Sequence, residues 1–385
     1  MDVEAIIIIG TGIAAYTFAR EFRKKDSVSA LILISEDDGS SYPKPVLSNA
    51  LSKGKTADQI AMFDAETMAE KLAAEIITNT HVDSIDAMQH QLTLSTGQVL
   101  QYKKCVLAVG AEPLSLPIKG DCSNEILSIN DLADYTVFRQ QLNNAKKVAI
   151  VGPGLIGCEF ANDLIDAGYD VSIIGPNPQL MMGLLPERVA TELAEKLTEC
   201  GVEIHLNTVA KVINTASVGY SLTLENGDTI HADLVVSAIG LRSRTALARS
   251  AGLDVSRGVI TDKYLQTSDQ DIYALGDCAE IAGHNLLYIA PITAAAKSLA
   301  NTLSGIKTAV KYPAMPVTIK TPCYPLVVAA PARDVSGQWR IETNESASGQ
   351  KALFENDSNQ LLGFVLSGDY VAEKRNLTAQ IANLL

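Results

Sequence analysis

Paired cysteines and clustered histidines are missing from this 385-residue chain. Its six cysteines form no CxxC or CxxxxC motif, and its five histidines are equally dispersed. This spacing predicts reduced, mostly buried thiols rather than a disulfide framework or a zinc site, and no metal is expected. The cysteines are Cys105, Cys122, Cys158, Cys200, Cys278 and Cys323.

Excess positive charge and long apolar runs are also missing. The 31 Lys and Arg residues are outnumbered by 44 Asp and Glu residues, for a net charge of −13, so neither nucleic acid nor an anionic membrane is expected as a partner. The N-terminus, MDVEAIIIIG, carries acids where a signal peptide carries bases, and its apolar run is too short to span a bilayer. These features predict a cytoplasmic protein, and the length predicts two or three domains.

What the chain does contain begins with a dinucleotide fingerprint at residues 5–15, AIIIIGTGIAA. Its four isoleucines predict a buried parallel strand that runs directly into a GxGxxA turn and a helix. Gly10 permits the tight turn, and Gly12 lets the backbone approach a diphosphate. The helix that follows, starting around Ile13 and Ala14, would supply free N–H groups and a partial positive charge to that diphosphate.

A second fingerprint follows about 140 residues later, where the predicted strand 148–151 runs into a full GxGxxG turn and a helix. One fingerprint binds one dinucleotide, so two of them predict two cofactors and an enzyme that passes reducing equivalents between them. The positions of interest in this turn and helix are Gly152, Gly154, Leu155, Ile156, Gly157 and Glu159.

The two fingerprints differ where a ribose would be bound. After the predicted strand 31–34 come Glu36 and Asp37, at about the expected distance from the first turn. After the predicted strand 169–174 comes Gly175, with neither an acid nor an arginine nearby. The absence of a base favours NADH over NADPH at the second site.

Three further predicted strands, 105–110, 234–240 and 271–279, end at or contain a glycine that lets a ligand approach the backbone. Asp277 would lie at the carboxyl end of its strand, where α/β sheets bind ligands, or would cap a helix instead. Arg242 and Arg244 fit either the nicotinamide dinucleotide site or a solvated surface.

Other segments complete the predicted structure. Prolines on both sides of Lys44 predict a rigid, extended segment, which either presents the lysine to a cofactor or forms an ordinary surface turn. A helix predicted to begin at Pro291 would direct its positive end at a flavin. Beyond about residue 308, a small and mostly antiparallel sheet is predicted, and a helix over 371–384 is expected to end the chain.

Five segments, in this order and spacing, resemble the two-dinucleotide flavoprotein reductases of the glutathione reductase superfamily over essentially the whole chain. They are GTGIAA, CVLAVGAEP, GPGLIGCE, SAIGLRSRT and IYALGDCA. YPKPVLS, GLRSRTALARSAGL and VTIKTPCYPLVV are similar to its rubredoxin and flavorubredoxin reductase branch. The resemblance implies an α/β fold with two Rossmann-like domains and a small C-terminal α+β domain. The implied domains are FAD-binding (1–112 and 241–308), NAD(P)H-binding (113–240) and C-terminal (309–385).

The resemblance also implies site residues for FAD and NADH. Lys44, Glu159 and Lys320 would surround the flavin ring as the catalytic residues, with Glu159 and Lys44 forming an ion pair near flavin N5. Glu36 or Asp37 would bind the adenosine ribose of FAD. The further cofactor-binding positions that it implies are Val82, Ala108, Gly110, Gly240, Gly276, Asp277 and Pro291.

Disulfide reductases of this superfamily need a cysteine pair beside the flavin, and its NADH peroxidases and oxidases use one cysteine just after the pair corresponding to Leu47 and Ser48. This chain continues with Asn49 and Ala50, so electrons are expected to leave the flavin directly. The implied function is that of an NADH:rubredoxin oxidoreductase that supplies an alkane hydroxylase. The alternatives are a flavorubredoxin reductase for nitric oxide detoxification, a ferredoxin reductase of an oxygenase and a slow flavin redox sensor. The short C-terminal tail has no obvious dimer seam, which favours a monomer.

Overall fold

The computed structural model describes residues 5–332, 335–342 and 348–385. The molecule has a mixed α/β fold with one mainly parallel and one parallel sheet, each flanked by helices, and an antiparallel sheet near the C-terminus. Within the described residues, the longest helix is Ile289–Leu303, and no helix is both long and apolar enough to cross a membrane.

The first sheet is centred on Ala5–Ile9, which is buried at every position. A strand of isoleucines buried on both faces is typical of the middle of a parallel sheet. The long strand Val99–Leu107 pairs in parallel with Ala5–Ile9 through its second half and in antiparallel fashion with Gln91–Leu94 through its first half. In spatial order the strands are Glu75–Ile77, Leu31–Ile34, Ala5–Ile9, Val99–Leu107, Gln91–Leu94 and Val82–Asp86, with Ile272–Ala274 also pairing with Val99–Leu107.

Helices Ile13–Arg23 and Ile289–Leu303 pack against each other in this first unit. Both bury small alanine side chains, including Ala15 and Ala19 on one helix and Ala296 on the other. Small side chains allow close helix packing, which holds both helix N-termini near the ends of the parallel strands.

The second unit repeats this plan. Its parallel sheet contains, in spatial order, Val202–His205, Asp170–Ile174, Lys147–Val151 and Leu234–Ser237. An antiparallel sheet of Ala210–Thr215, Tyr220–Leu224 and Thr229–Ala232 accompanies it. Its helices are Leu132–Leu142, Leu155–Asp166 and Glu187–Glu199.

The C-terminal sheet is wholly antiparallel and has its own apolar core around Val327, Phe364 and Leu366. Its strands, in spatial order, are Val317–Ile319, Leu326–Ala329, Leu361–Ser367, Lys351–Glu355 and Gln338–Glu342. This sheet confirms the small, mostly antiparallel sheet that the sequence predicts beyond about residue 308.

Short elements connect the larger ones. The pair Ala111–Pro113 and Leu241–Ser243 lies where the chain passes between the two nucleotide-binding units. The other pair is Val259–Thr261 with Ala279–Ile281. The short α-helices are Ala57–Ile60, Ala65–Leu72, Ala246–Ser250 and Lys374–Thr378, and the 3-10 helices are Lys44–Asn49, Ser123–Glu125, Gly276–Cys278 and Gly368–Glu373.

Two predicted elements are wrong. The segment that begins at Lys44 is a 3-10 helix rather than extended, because the fixed φ of Pro45 suits the first turn of a helix. The predicted helix 371–384 is only the short helix Lys374–Thr378, preceded by a 3-10 turn. The last residues cannot continue the helix because their backbone groups bond to Tyr312 instead. The N–H groups of Leu384 and Leu385 donate to the Tyr312 carbonyl, and the Tyr312 N–H donates to the Leu385 carbonyl.

Candidate functional site

The first GxGxxA turn leaves an open, amide-lined surface at the start of helix Ile13–Arg23. Gly10 has φ +114°, and a Cβ there would overlap the carbonyl oxygen of Ala108. A Cβ at Gly12 would meet nothing within 4 Å, which leaves space beside the free N–H groups of the helix. Gly276, with φ +80°, packs so closely that a Cβ would lie 2.6 Å from the Cβ of Ala14. These residues fit the diphosphate of a dinucleotide.

The two acids after strand Leu31–Ile34 have different surroundings. Asp37 Oδ1 accepts hydrogen bonds from Ser35 Oγ at 2.5 Å and from the Gly39 N–H at 2.9 Å, so it stabilises its own loop. The Glu36 side chain is 69% exposed, and its ion-pair contacts within the described residues are long, 3.9 Å to Arg244 and 3.7 Å to His81. Glu36 is therefore the freer of the two to bind a ribose.

The second turn repeats the backbone of the first. Gly152 has φ +127°, and a Cβ there would overlap the Ala238 carbonyl. A Cβ at Gly157 would in turn overlap the carbonyl of Gly152. A Cβ at Gly154 would meet nothing within 4 Å. Leu155 and Ile156 open the helix, with Ile156 42% exposed toward solvent.

Glu159, one turn into this helix, joins three parts of the chain. Its carboxylate is buried and accepts hydrogen bonds from Ser48 Oγ at 2.6 Å, from Lys320 Nζ at 2.5 Å and from the Lys320 N–H at 2.9 Å. Three donors, one of them charged, compensate the cost of burying the carboxylate. The ion pair expected between Glu159 and Lys44 is therefore wrong: Lys320 is the partner, and the 3-10 helix brings Ser48 rather than Lys44 to the carboxylate.

The same helix also holds neighbouring segments through its next turn. Asp163 is buried and accepts hydrogen bonds from the N–H groups of Leu51 and Ser52, at 2.9 and 3.1 Å. Asn162 Oδ1 accepts the N–H of Cys323 at 3.1 Å. Helix Leu155–Asp166 thus anchors both the segment after Lys44 and the turn after Lys320.

Lys44 has a different partner, Asn130. Its Nζ donates to Asn130 Oδ1 at 2.7 Å, and the Nδ2 of this buried asparagine donates to the Ala111 carbonyl at 3.1 Å. Burial lowers the pKa of Lys44, and the charge of Asp277 opposes that shift. Burial also raises the pKa of Asp277, opposed by Lys44. Asn130 lies in no recognisable motif, so the sequence offered no signal that would have identified it.

The remaining predicted residues lie mostly around the first turn. Val82 is buried two residues after Thr80, whose N–H donates to the Ser35 carbonyl. Pro291 is buried in helix Ile289–Leu303, which begins two residues earlier than predicted. Gly110 and Gly240, both with positive φ, lie where the chain crosses between the units.

Arg242 and Arg244 lie beside the first unit. Arg242 Nε is 2.7 Å from Glu112 Oε1. Arg244 lies between Glu36 and Glu112, at 3.9 and 4.0 Å. These contacts do not support the interpretation that the two arginines line the nicotinamide dinucleotide site.

Redox sulfur is also absent from the segment beside Glu159. Asn49 occupies the position just after Leu47 and Ser48, where the resemblance would place a redox cysteine, and the next residue, Ala50, is fully buried. In the described parts of the chain, no three His, Cys, Asp or Glu side chains come together to hold a metal ion.

Comparison with known proteins agrees with this geometry. Residues 4–309 match the family described as pyridine nucleotide-disulphide oxidoreductase. Residues 309–381 match the family described as rubredoxin binding C-terminal domain.

Full-length relatives extend the comparison. Rubredoxin-NAD(+) reductase of Alcanivorax borkumensis is 43% identical over 381 residues, covering 99% of both chains. Nitric oxide reductase FlRd-NAD(+) reductase of Escherichia coli is 40% identical over 368 residues, covering 96% of both. The crystal structure of the ferredoxin reductase for the CYP199A2 system from Rhodopseudomonas palustris has a TM-score of 0.87 and 26% identity, over 98% of this chain and 95% of that one. The chain therefore belongs to the pyridine nucleotide-disulphide oxidoreductase family and ends in a rubredoxin-binding C-terminal domain.

Proposed function

We propose that this chain is an FAD-dependent NADH:rubredoxin oxidoreductase. The observation that carries the proposal is the Glu159–Lys320 ion pair. It joins the helix of the second dinucleotide turn to the C-terminal segment, and Ser48 links both to the first unit. Electron transfer from a dinucleotide to a protein bound at the C-terminal segment needs these three parts of the chain in one place.

FAD, when bound, accepts a hydride from NADH and releases its two electrons singly. In this proposal, Gly10, Gly12 and Gly276 border the FAD diphosphate, and Glu36 binds its adenosine ribose. The second turn, from Gly152 to Gly157, holds NADH.

The protein contributes position and charge to this chemistry. Lys320, held by Glu159, and Lys44, held by Asn130, place two ammonium groups where negative charge would develop on reduction. Hydride transfer needs no strong general base, which agrees with a site built from lysines and glycines. With no cysteine after Ser48, electrons leave without a thiol relay.

The domain boundaries are part of the proposal. The FAD-binding domain would comprise 1–112 and 241–308, the NADH-binding domain 113–240, and the C-terminal domain 309–385. The antiparallel pair Ala111–Pro113 and Leu241–Ser243 supports the two crossings, because both connections lie side by side there.

Rubredoxin is proposed as the acceptor because relatives named for it are 43% and 44% identical to this chain. An alkane hydroxylase as the final oxidant, a monomeric state and a cytoplasmic location complete the proposal. The 40% identity to the FlRd-NAD(+) reductase supports flavorubredoxin as the second candidate acceptor.

Stopped-flow absorbance tests the proposal. The flavin-loaded protein is mixed first with NADH or NADPH and then with oxidised rubredoxin, flavorubredoxin or ferredoxin. We expect fast bleaching of the flavin by NADH, slower bleaching by NADPH, and then rapid loss of the rubredoxin visible bands. Fast bleaching without reoxidation by rubredoxin would refute the proposed acceptor, and slow bleaching by both nucleotides would favour a redox sensor.

A further inference from the structure

A second polar contact joins the C-terminal sheet to the second unit, through a different helix from the one that carries Glu159. Tyr324 Oη donates a hydrogen bond to Glu192 Oε2 at 2.6 Å, and Gln350 Nε2 donates to the other oxygen of the same carboxylate. Glu192 lies in the middle of helix Glu187–Glu199, which belongs to the second unit. Its carboxylate therefore binds two side chains of the C-terminal segment at once.

The hydrogen bonds continue from the tyrosine into the C-terminal sheet. The Tyr324 hydroxyl has one proton, which it donates to Glu192, so Ser367 Oγ is the donor in the 2.7 Å contact between the two hydroxyls. Ser367 Oγ in turn accepts the Gln350 N–H at 2.7 Å. Tyr324, Gln350 and Ser367 are all buried. Together with Glu192 they form a closed network across the interface, in which each bond strengthens its neighbours.

The surroundings of this network are apolar. Leu326 and Val365 of the C-terminal sheet belong to the same core cluster as Leu193 and Leu197 of the helix. Apolar contacts have no direction, so they allow more than one alignment of two surfaces. Buried hydrogen bonds favour a single alignment, because any other alignment leaves polar groups unpaired. The network therefore favours one position of the C-terminal sheet on the helix.

The same tyrosine closes the turn that begins at Lys320. The Tyr324 N–H donates to the Thr321 carbonyl, and Thr321 Oγ1 donates to the Tyr324 carbonyl, both at 2.9 Å. At the other end of the turn, the N–H and the ammonium of Lys320 both donate to Glu159. Glu159 thus holds one end of this turn through Lys320, and Glu192 holds the other end through Tyr324.

We propose that Tyr324 and Glu192 are positioning residues for the reaction, which act by fixing the turn that carries the Lys320 ammonium. The inference rests on the proposed function, in which Lys320 supplies positive charge where negative charge develops on reduction. A displaced turn would move the ammonium, and the reduced flavin would lose part of its stabilisation. Burial, together with the hydrogen bond to Glu192, raises the pKa of Tyr324, so its hydroxyl keeps the proton of this bond at neutral pH.

Tyr324→Phe tests the proposal, because it removes the hydroxyl and retains the packed ring. The flavin-loaded variant is compared with the wild type by spectroelectrochemistry and by stopped-flow reduction of rubredoxin. We expect a lower flavin midpoint potential, shifted in the direction expected for Lys320→Ala but by less, and rubredoxin reduction about threefold slower. Tyr220→Phe is the matched control, because Tyr220 Oη donates to Glu125 Oε2, also at 2.6 Å, within the second unit. Both quantities should keep their wild-type values in this control.

Combination with Lys320→Ala separates positioning from a general loss of stability. Once the ammonium is absent, Tyr324→Phe has no charge to displace, so it should not shift the flavin potential further. Equal shifts from Tyr324→Phe in the presence and absence of the Lys320 ammonium would overturn the proposal, and so would a wild-type potential in the single variant. If the wild type leaves rubredoxin oxidised, the proposed function fails instead, while the potentials still test this inference.

Glu192→Gln tests the other side of the contact, at a half-buried helix position where folding does not depend on the side chain. Loss of a negative charge by itself favours the reduced flavin and raises its potential, whereas a displaced Lys320 lowers it. We expect a lower potential, together with faster hydrogen exchange in a peptide that covers 320–324 and unchanged exchange in one that covers 220–224. A potential at or above the wild-type value, or unchanged exchange at 320–324, would overturn the proposal.

Discussion

The two dinucleotide turns share a backbone and differ in their side-chain contacts. In both, the first glycine has a strongly positive φ and approaches a carbonyl oxygen, that of Ala108 in one and Ala238 in the other. In the first turn, Thr11 contacts Ser35 through their hydroxyl groups. In the second, Pro153 packs against Gly175, where any Cβ would overlap the proline ring.

The glycine positions of the motif are repeated in both units, whereas the loop after the following strand differs between them. The glycine positions follow from the need to bring backbone N–H groups to a diphosphate, so they appear twice. The loop after the next strand sets the ribose chemistry. In the first unit, Ser35 and Asp37 fix a loop that presents Glu36, whereas the second unit has a proline–glycine contact and no acid.

The largest effects are expected from substituting the first glycine of each dinucleotide turn, and they should differ between the two turns. Gly10→Ala should abolish FAD binding, because the added Cβ overlaps a backbone carbonyl and the φ is unfavourable for alanine. Gly152→Ala should keep FAD and slow flavin reduction by NADH at least a hundredfold, with reduction by dithionite unchanged. The flavin-to-protein absorbance ratio and stopped-flow bleaching measure both. Equal FAD content in the two variants would contradict the assignment of the turns.

A smaller effect is expected from Glu159, which lies in the second helix where the first helix has Thr17. Glu159→Gln removes the charge that pairs with Lys320 and should slow electron delivery to rubredoxin about tenfold. Lys320→Ala should lower the flavin midpoint potential, which spectroelectrochemistry measures. A double-mutant cycle with Lys320→Met tests the coupling, and additive effects would show that the pair does not act as a unit.

Glu36 tests the ribose assignment in the first unit. Glu36→Gln should weaken FAD binding about tenfold, because hydrogen bonds to a charged acceptor are worth roughly 1.5–3 kcal/mol. Titration of the apoprotein with FAD, followed by flavin fluorescence, measures this. Asp37→Asn is the comparison variant, and it should lower thermal stability more than FAD affinity. The reverse pattern would assign the ribose to Asp37.

Asn130 allows a test by pH. Asn130→Leu removes the acceptor of the Lys44 ammonium, which disfavours the charged form and lowers the pKa of Lys44 further. Activity that requires the ammonium should then be lost at a lower pH than in the wild type. Asn130→Asp adds a negative charge and should shift the loss to higher pH. The pH profile of kcat measures both, and identical profiles in all three proteins would exclude a role for this contact.

The smallest effect is expected from introducing an acid at the ribose position of the second unit. Pro176 occupies the position that corresponds to Glu36, one residue after the glycine that matches Ser35. Pro176→Glu should increase the preference for NADH over NADPH a few-fold, because a carboxylate repels a 2′-phosphate and accepts a 2′-OH. The ratio of kcat/KM for the two nucleotides measures it. A ratio unchanged in this variant would place the ribose elsewhere.

Sequence patterns predicted the parts that depend on local chemistry. A run of isoleucines before a glycine turn allows little other than a buried strand and a helix, and both fingerprints have that structure. The cofactors, the family and the C-terminal sheet followed from these segments together.

Partners across the chain were less predictable. The sequence indicated that Lys44, Lys320 and Glu159 lie around the flavin site, but it did not show which lysine pairs with the acid. The 3-10 helix that begins at Lys44 brings Ser48 to the Glu159 carboxylate, and Lys320 is the lysine that pairs with it. Asn130 binds the Lys44 ammonium through its side-chain amide, and no sequence motif or spacing identifies that residue.

Helix Leu155–Asp166 carries the second glycine turn at one end and the anchors of the C-terminal segment along its side. Thermodynamic reciprocity then applies to whatever binds at these places. If NADH at the turn changes the affinity of the C-terminal segment for an iron protein, the iron protein changes the affinity for NADH by the same factor. The docked partner would then act as an effector of nucleotide binding as well as an electron acceptor.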